Sequence, residues 1–296
     1  MELRVLKYFL VVAQERNISK AANILHITQP TLSRQLKELE NELGVILFVR
    51  GNRKITLTED GMFLQKRAEE IISLTEKTEV EIKVPNQALN GTIYIGGGET
   101  HVMKYLAKTM KIVQKKHPLI KFNLYSGNAD DVIEKLDKGL IDFGIIISPA
   151  NIDKYDSLEL PGHDTWGILM HKDSPLSQKD SISPVDLMKE PLICSVQSFV
   201  HTKISNWFHK DYDSLNIVAN YNLIYNASLL VEEKIGYAIG LKDLINTSGN
   251  SNLCFIPLKP KLESNLNIIW KKHQVFSKTN EVFLKELIST INNIHE

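Results

Sequence analysis

The sequence predicts a multidomain chain: a small helical head closed by a hairpin, one long connecting helix, and a larger α/β body built in two blocks. Three observations predict it. The 296 residues exceed one ordinary domain. Hydrophobic spacing keeps the helical period to about residue 82, apart from a short apolar strand pair near residues 45–57, and then alternates between short apolar runs and helical stripes. Charge sums to zero yet is segregated: residues 1–58 hold 9 basic and 5 acidic side chains, residues 59–90 hold 4 and 7, and residues 91–296 hold 22 and 23. Five of the six arginines (Arg4, Arg16, Arg34, Arg50, Arg53) lie in the first segment and none follows Arg67. Arginine carries the planar fork that matches phosphate and guanine, so its confinement points the head toward nucleic acid.

Composition closes other routes. Apolar runs reach only about five residues, such as Phe9 to Ala13, against the ~20 needed to span a bilayer, so no membrane role is expected. Glu2, Arg4 and Lys7 interrupt the first apolar pattern, unlike an export signal, and the cytoplasm is the expected compartment. Cys194 and Cys254 stand 60 residues apart without CxxC spacing. Inert thiols are expected there, with a redox switch as the alternative.

Leu6, Phe9, Leu10 and Ala13 repeat at i, i+3, i+4, i+7 and predict a helix over about 3–15. Ser19 is the expected N-cap of a short second helix whose Ala21 and Ala22 admit a close neighbour. Thr28 and Pro30 open a third helix that stops at Gly44. Its Leu32, Leu36, Leu39 and Leu43 face a core. Pro30, Ser33, Arg34 and Lys37, with Gln29 at the open end, form the opposite face. Such a face, at the positive end of the helix dipole, suits a DNA major groove; the alternative is an ordinary solvated surface. An apolar strand through Val49, a turn at Gly51-Asn52 and a second strand over Ile55 to Thr58 then form a hairpin carrying Arg50, Arg53 and Lys54. Two helices in a tight turn followed by such a hairpin describe a winged helix-turn-helix.

The segment Phe9 to Thr58 resembles the DNA-binding domain of the LysR-type transcriptional regulators. The resemblance rests on Ala21-Ala22, Leu25, Gln29-Pro30, Ser33-Arg34, Leu39-Glu40, Leu43-Gly44, Leu47-Phe48, Arg50, Leu57-Thr58 and Gly61. Ile46 departs from the family's usual proline, with no functional consequence expected. The resemblance implies contacts to double-stranded operator DNA at Gln29, Pro30, Thr31, Ser33, Arg34 and Arg53. Gln29, Ser33 and Arg34 are the expected base readers, and Arg50, Arg53 and Lys54 the backbone anchors. Ser19 and Lys37 complete the expected DNA-facing set.

From Glu59, Leu64, Ala68, Ile71, Thr75, Thr78 and Ile82 form a heptad-like seam on an acidic helix. The alternatives are pairing with a second subunit, as the resemblance implies, or packing on its own domain. Pro85, Asn86 and Asn90-Gly91 are the expected hinge. The domain reading is 1–58 for the head, 59–90 for the linker and 91–296 for the body.

Strands are expected over Thr92–Ile95, Phe122–Tyr125, Ile141–Ile147, Trp166–Met170, Leu192–Cys194, Ile217–Ala219, Tyr237–Ile239 and Leu266–Trp270. Helices alternate with them, which predicts a parallel sheet covered on both faces. The arrangement resembles the LysR-type effector domain, two lobes of periplasmic-binding-protein type, with lobe I at 91–163 plus 266–296 and lobe II at 164–265. Ligands of such sheets bind at the carboxyl ends of the strands. That rule selects Glu99 and Thr100 after the first strand, Ser126 and Asn128 after the second, and Ser195 and Gln197 in lobe II. Glu99 either disfavours an anionic effector in favour of an amine or polyol, or merely caps a helix. The triplet Gly96-Gly97-Gly98 lacks nucleotide-loop spacing. Trp166, His163 and Asp164 read first as a core tryptophan and solvated loop groups, with cleft lining as the alternative.

No GxSxG, HExxH, clustered His and Cys or paired-carboxylate motif points to an enzyme, and no cofactor or metal is expected. An exported solute-binding protein needs a signal, and a constitutive architectural protein has no use for a cleft. The expectation is therefore a small-molecule-responsive transcriptional regulator, acting as a homodimer or homotetramer on DNA and, through the resemblance, on RNA polymerase.

Overall fold

Local signals set the first helices. The structure is a computed structural model that describes residues 1–50, 55–82, 89–148 and 150–295, in two compact units, Met1–Lys83 and Val84–Glu296. Arg53 and Lys54 of the wing, and Pro85 and Asn86 of the hinge, lie outside the described residues. In the first unit α1 (Leu3–Glu15) ends on Arg16 in the left-handed conformation. Asn17, not Ser19, then caps α2 (Ile18–Ile24), its side chain accepting from Lys20 N at 2.9 Å. Asn17 sits three residues before that amide, the reach of a capping side chain, which leaves Ser19 exposed inside the first turn. Helix α3 (Gln29–Leu43) starts on Thr28 and ends on a left-handed Gly44, as its sequence predicts. Strands β1 (Phe48–Arg50) and β2 (Ile55–Leu57) pair antiparallel, and α4 (Glu59–Ile82) follows.

Leu6, Phe9, Val12, Ala21, Leu32 and Leu36 fill one core, the two small alanines admitting a close helix crossing. Leu43, expected to face it, is 38% exposed at the last turn. Leu64, Ala68 and Ile72 of α4 are buried in the same core. The proximal half of the expected pairing seam is therefore spent on its own unit, because α1 supplies an apolar face long enough to cover it. Beyond it, Thr75 and Thr78 donate to the carbonyls of Ile71 and Leu74 at 2.8 Å, and Ile82 is exposed.

The second unit runs β3 (Gly91–Gly97), α5 (Met103–Lys116), β4 (Ile120–Ser126), α6 (Ala129–Asp137), β5 (Phe143–Ile147) and β6 (Tyr155–His171). It continues with α7 (Pro184–Leu187), β7 (Leu192–Ser195), α8 (Ser198–Phe208), β8 (Ile217–Tyr221), α9 (Ile224–Glu232) and β9 (Tyr237–Leu241). Strands β10 (Leu253–Pro257) and β11 (Glu263–Lys271) and helix α10 (Lys278–His295) complete it. One nine-stranded sheet has the order β4-β3-β5-β11-β6-β9-β7-β8, with β10 on β6.

The sheet is mixed, not parallel throughout. β4-β3-β5 and β8-β7-β9 are parallel, but β6, β10 and β11 pair antiparallel because the chain crosses between the lobes twice, in opposite directions. The two crossings pair with each other. Between Leu160 and Asp164 on β6, three residues face the single residue between Ser264 and Leu266 on β11, an irregular bulge with Gly162 at φ 90°. Phe143, Leu160, Leu266 and Phe283 anchor one lobe's core, and Trp166, Leu192, Ile204 and Ile239 the other's.

Candidate nucleic-acid interface and effector cleft

Helix α3 presents Gln29, Pro30, Thr31, Arg34 and Lys37 exposed and Ser33 half-buried, on the side opposite Leu32, Leu36 and Leu39. The Thr28 hydroxyl accepts from Thr31 N at 3.4 Å, and Pro30 lacks the N–H that the first turn leaves unpaired. Arg34 Nε lies 3.6 Å from Glu38 Oε1 with its side chain 73% exposed, a surface pair that costs little to break. Arg50 ends β1, and its cationic neighbours Arg53 and Lys54 fall outside the described residues.

The residues behind this face explain the motif that carries the resemblance. Glu40 Oε1 accepts from Leu47 N at 2.8 Å and Phe48 N at 3.2 Å, so α3 holds the root of the hairpin directly. The Thr58 hydroxyl donates to Ile46 O and accepts from Gly61 N, capping α4. A Cβ on Gly61 would stand 2.2 Å from Leu47 O, so a side chain there forces the backbone to shift. Ile46 is 66% exposed, in keeping with a tolerant position.

In the second unit a cavity of about 480 Å³, open mouth included, lies between the lobes. Glu99, Ser195 and Gln197 line it, as the strand-end rule expects. Thr100 and Ser126 instead line an adjoining cavity of about 690 Å³, open mouth included, on the β3–β4 side, which Glu99 shares. Asn128 lines neither: its side chain caps α6 through Asp131 N at 2.9 Å. Gln197 Oε1 reaches Ala129 N at 3.4 Å, tying lobe II to the start of α6 in lobe I. Ser195 is buried, and its hydroxyl accepts from Gln197 N.

The strand-end rule also reaches residues that sequence reasoning passed over. Tyr221 ends β8 and Asn222 and Leu223 follow it, while Leu241 ends β9 and Leu244 lies just beyond. Trp166 both belongs to the lobe II core and faces the cavity, its Nε1 donating to Ser264 Oγ at 2.9 Å. Burial pushes the Tyr221 hydroxyl well above its ordinary pKa, and the charges of Cys194, Glu99 and Tyr212 add to the effect. Gly97 serves packing, since a Cβ there would stand 2.9 Å from Ile145 Cβ.

Asp164 is 4% exposed at the lobe crossing, against its expectation as a solvated loop acid. One oxygen takes a hydrogen bond from Thr100, and Oδ2 has no partner among the described residues. Burial raises its pKa, against the Thr100 bond and the charges of His101 and His163. The folded chain then holds that proton to higher pH than the unfolded chain, so the group's contribution to stability falls as pH rises through the raised value. Asp164→Asn is expected to melt higher than the parent at pH 7, with the difference shrinking as pH falls toward about 4. A melting profile with the same pH dependence in both proteins would show that Asp164 is not its source.

Burial also lifts the Cys194 thiol to about 12 and raises Cys254, so both are thiols with little thiolate at neutral pH. Among the described residues no group of three or more His, Cys, Asp or Glu side chains is placed to hold a metal, and no helix is long and apolar enough to cross a membrane.

Residues 3–62 match the family model for the bacterial regulatory helix-turn-helix protein of the lysR family, and residues 86–291 match that for the LysR substrate binding domain. The chain belongs to the LysR family. This LysR-family regulator is 28% identical to the HTH-type transcriptional regulator BsdA of Bacillus subtilis over 96% of its own length and 99% of that protein's. It is 30% identical to AlsR of the same organism over 92% and 85%. Full-length CbnR in complex with its target DNA superposes with a TM-score of 0.74 at 19% identity, covering 98% of this chain and 100% of that one. Full-length BenM does so with a TM-score of 0.54 at 26% identity, covering 100% and 97%. As a LysR-type regulator the chain couples a DNA-binding head to an effector-binding domain.

Proposed function

We propose that this LysR-family chain reads its operator with Gln29, Ser33 and Arg34, assisted by Pro30 and Thr31, and holds the DNA backbone with Ser19, Lys37, Arg50, Arg53 and Lys54. The observation that carries the reading is the exposed polar face of α3, whose opposite face and C-terminal half are fixed by the core and by the Glu40 contact to β1. Helix α4 pairs subunits in a homodimer or homotetramer. Support comes from its outer face: Phe63 and Leu74 are 66% and 42% exposed, and eleven residues place them only about 20° apart around the helix. Pairing two heads converts modest single-head affinity into bivalent binding.

The working parts are 1–58, 59–90 and 91–296, the last split into lobe I at 91–163 plus 266–296 and lobe II at 164–265. A small molecule between the lobes favours one lobe geometry through unequal affinity for the two states, and the paired heads and their contact with RNA polymerase respond. The chain acts in the cytoplasm, through binding and not catalysis.

A backbone anchor and a base reader differ in how salt affects them. Lys37→Ala is expected to weaken operator and non-operator duplexes alike and to reduce the slope of log affinity against log salt by about one per head. Titrations at several salt concentrations check this. A loss confined to operator DNA would move Lys37 into the base-reading set.

A further inference from the structure

We propose that the effector of this chain is a small organic cation, an amine on an apolar or aromatic body, held by Glu99 between the lobes. The proposal rests on the effector-cleft reading above and specifies its ligand. Among the described residues lining the inter-lobe cavity, Glu99 is the one charged side chain; no lysine or histidine lines it, and the sequence holds no arginine after Arg67. A carboxylate effector would therefore enter without the bidentate partner that such groups take in proteins.

Glu99 is also unspent. It makes no hydrogen bond or ion pair with a described residue, and it does not cap α5, whose leading turn is held by Thr100 Oγ1 accepting from Val102 N at 3.0 Å. The competing explanation for an acid at this position is thereby removed.

Three backbone donors around the cleft are taken by the chain itself. Asn128 takes Asp131 N, Gln197 takes Ala129 N, and Ser195 takes Gln197 N. Lys203 lies 5.8 Å from the Trp166 ring centre and donates to Glu263 O and Ser264 Oγ. Its ammonium is thus committed to the β11 side of Trp166.

Ser195, Gln197 and Asn222 offer a polyol a few partners, but the rest of the wall favours an apolar body. Ile147, Trp166, Phe199, Leu241 and Leu244 offer an apolar surface that would leave several hydroxyls without partners. An amine with an apolar body satisfies both parts, its charge at Glu99 and its body against the rings and aliphatic groups.

The test uses the full chain and three matched series in thermal melts: phenethylamine, tryptamine and isoamylamine; their alcohols phenethyl alcohol, tryptophol and isoamyl alcohol; and the carboxylates phenylacetate, indoleacetate and isovalerate. A compound that binds only the folded state raises the melting temperature with concentration. Amines are expected to stabilise the chain most and carboxylates least. Glu99→Gln is expected to weaken the best amine by about tenfold to a hundredfold, with Glu99→Asp, which keeps the charge, restoring the preference. Stabilisation by the carboxylates over the amines, or an amine affinity unchanged in Glu99→Gln, overturns the proposal. Melts unmoved by all three series in parent and variants would instead overturn the effector-cleft reading on which it stands.

Discussion

Arg34→Ala is expected to lower operator affinity by about fivefold to a hundredfold per head while leaving the melting temperature within a degree or so of the parent, since a good bidentate base contact is worth roughly 1–3 kcal/mol of discrimination. The side chain is 73% exposed, and its pair with Glu38 is a surface contact worth only a few tenths of a kcal/mol, about the order measured for helix pairs at that spacing. Folding therefore loses almost nothing and recognition loses its fork. Arg34→Lys separates charge from geometry. It keeps the cation but not the planar donors, so non-operator binding is retained while the operator advantage falls nearly as far as in the alanine variant. Titration of operator and scrambled duplexes at fixed salt reads both quantities. Full operator affinity in Arg34→Ala would take the base-reading role away from this residue.

Gly61→Ala is the largest expected stability change. The new methyl would sit 2.2 Å from Leu47 O and 3.0 Å from Leu57 Cδ2, and the first of these is backbone. Leu47 has little freedom to retreat, because its N–H is held by Glu40 and its carbonyl accepts from Thr58 N at 3.0 Å. Overpacking of this kind costs about 1–3 kcal/mol. In a unit of this size that lowers the melting temperature by about 10 °C. Calorimetry is expected to show the loss in the transition of the first unit, with the second unit melting as before and operator binding falling with the head. An unshifted first transition would mean that α4 slides to admit the methyl, and the Glu40 and Thr58 contacts would not be as rigid as their geometry indicates.

The parts of this molecule that were legible in the sequence are those governed within a turn or two of chain. Helix α3 is the clearest case: Thr28, Pro30 and Gly44 act on the nearest backbone groups, and Leu32, Leu36 and Leu39 report one face. Where two neighbours compete for one local task, spacing decides: Asn17 and Ser19 both suit a cap, and Asn17 lies at the right distance from Lys20 N. Periodicity on α4 showed that a face is buried but not by what, and Leu64 and Ala68 pack on their own unit. The first half of β6 was hidden because Pro161 and Gly162 interrupt its alternation, and β10 because Cys254 and Pro257 blur its pattern. In the cleft, the strand-end rule finds polar residues such as Glu99 and Gln197 because they stand out against their neighbours. Leu241, Leu244 and Phe199 look like core in any one-dimensional reading, and only the meeting of the two lobes gives them a cavity-facing surface.

The two crossings between the lobes have a mechanical consequence. A pair of extended, hydrogen-bonded strands is stiff along its length and resists the wide swing that two loose loops would permit. Its weak point is the short stretch where three residues of β6 face one of β11 and the ladder is interrupted. Motion of one lobe against the other is thus confined to flexure of a two-ply leaf spring. A ligand bridging the lobes would work against that stiffness, and the pair would yield first at the interruption.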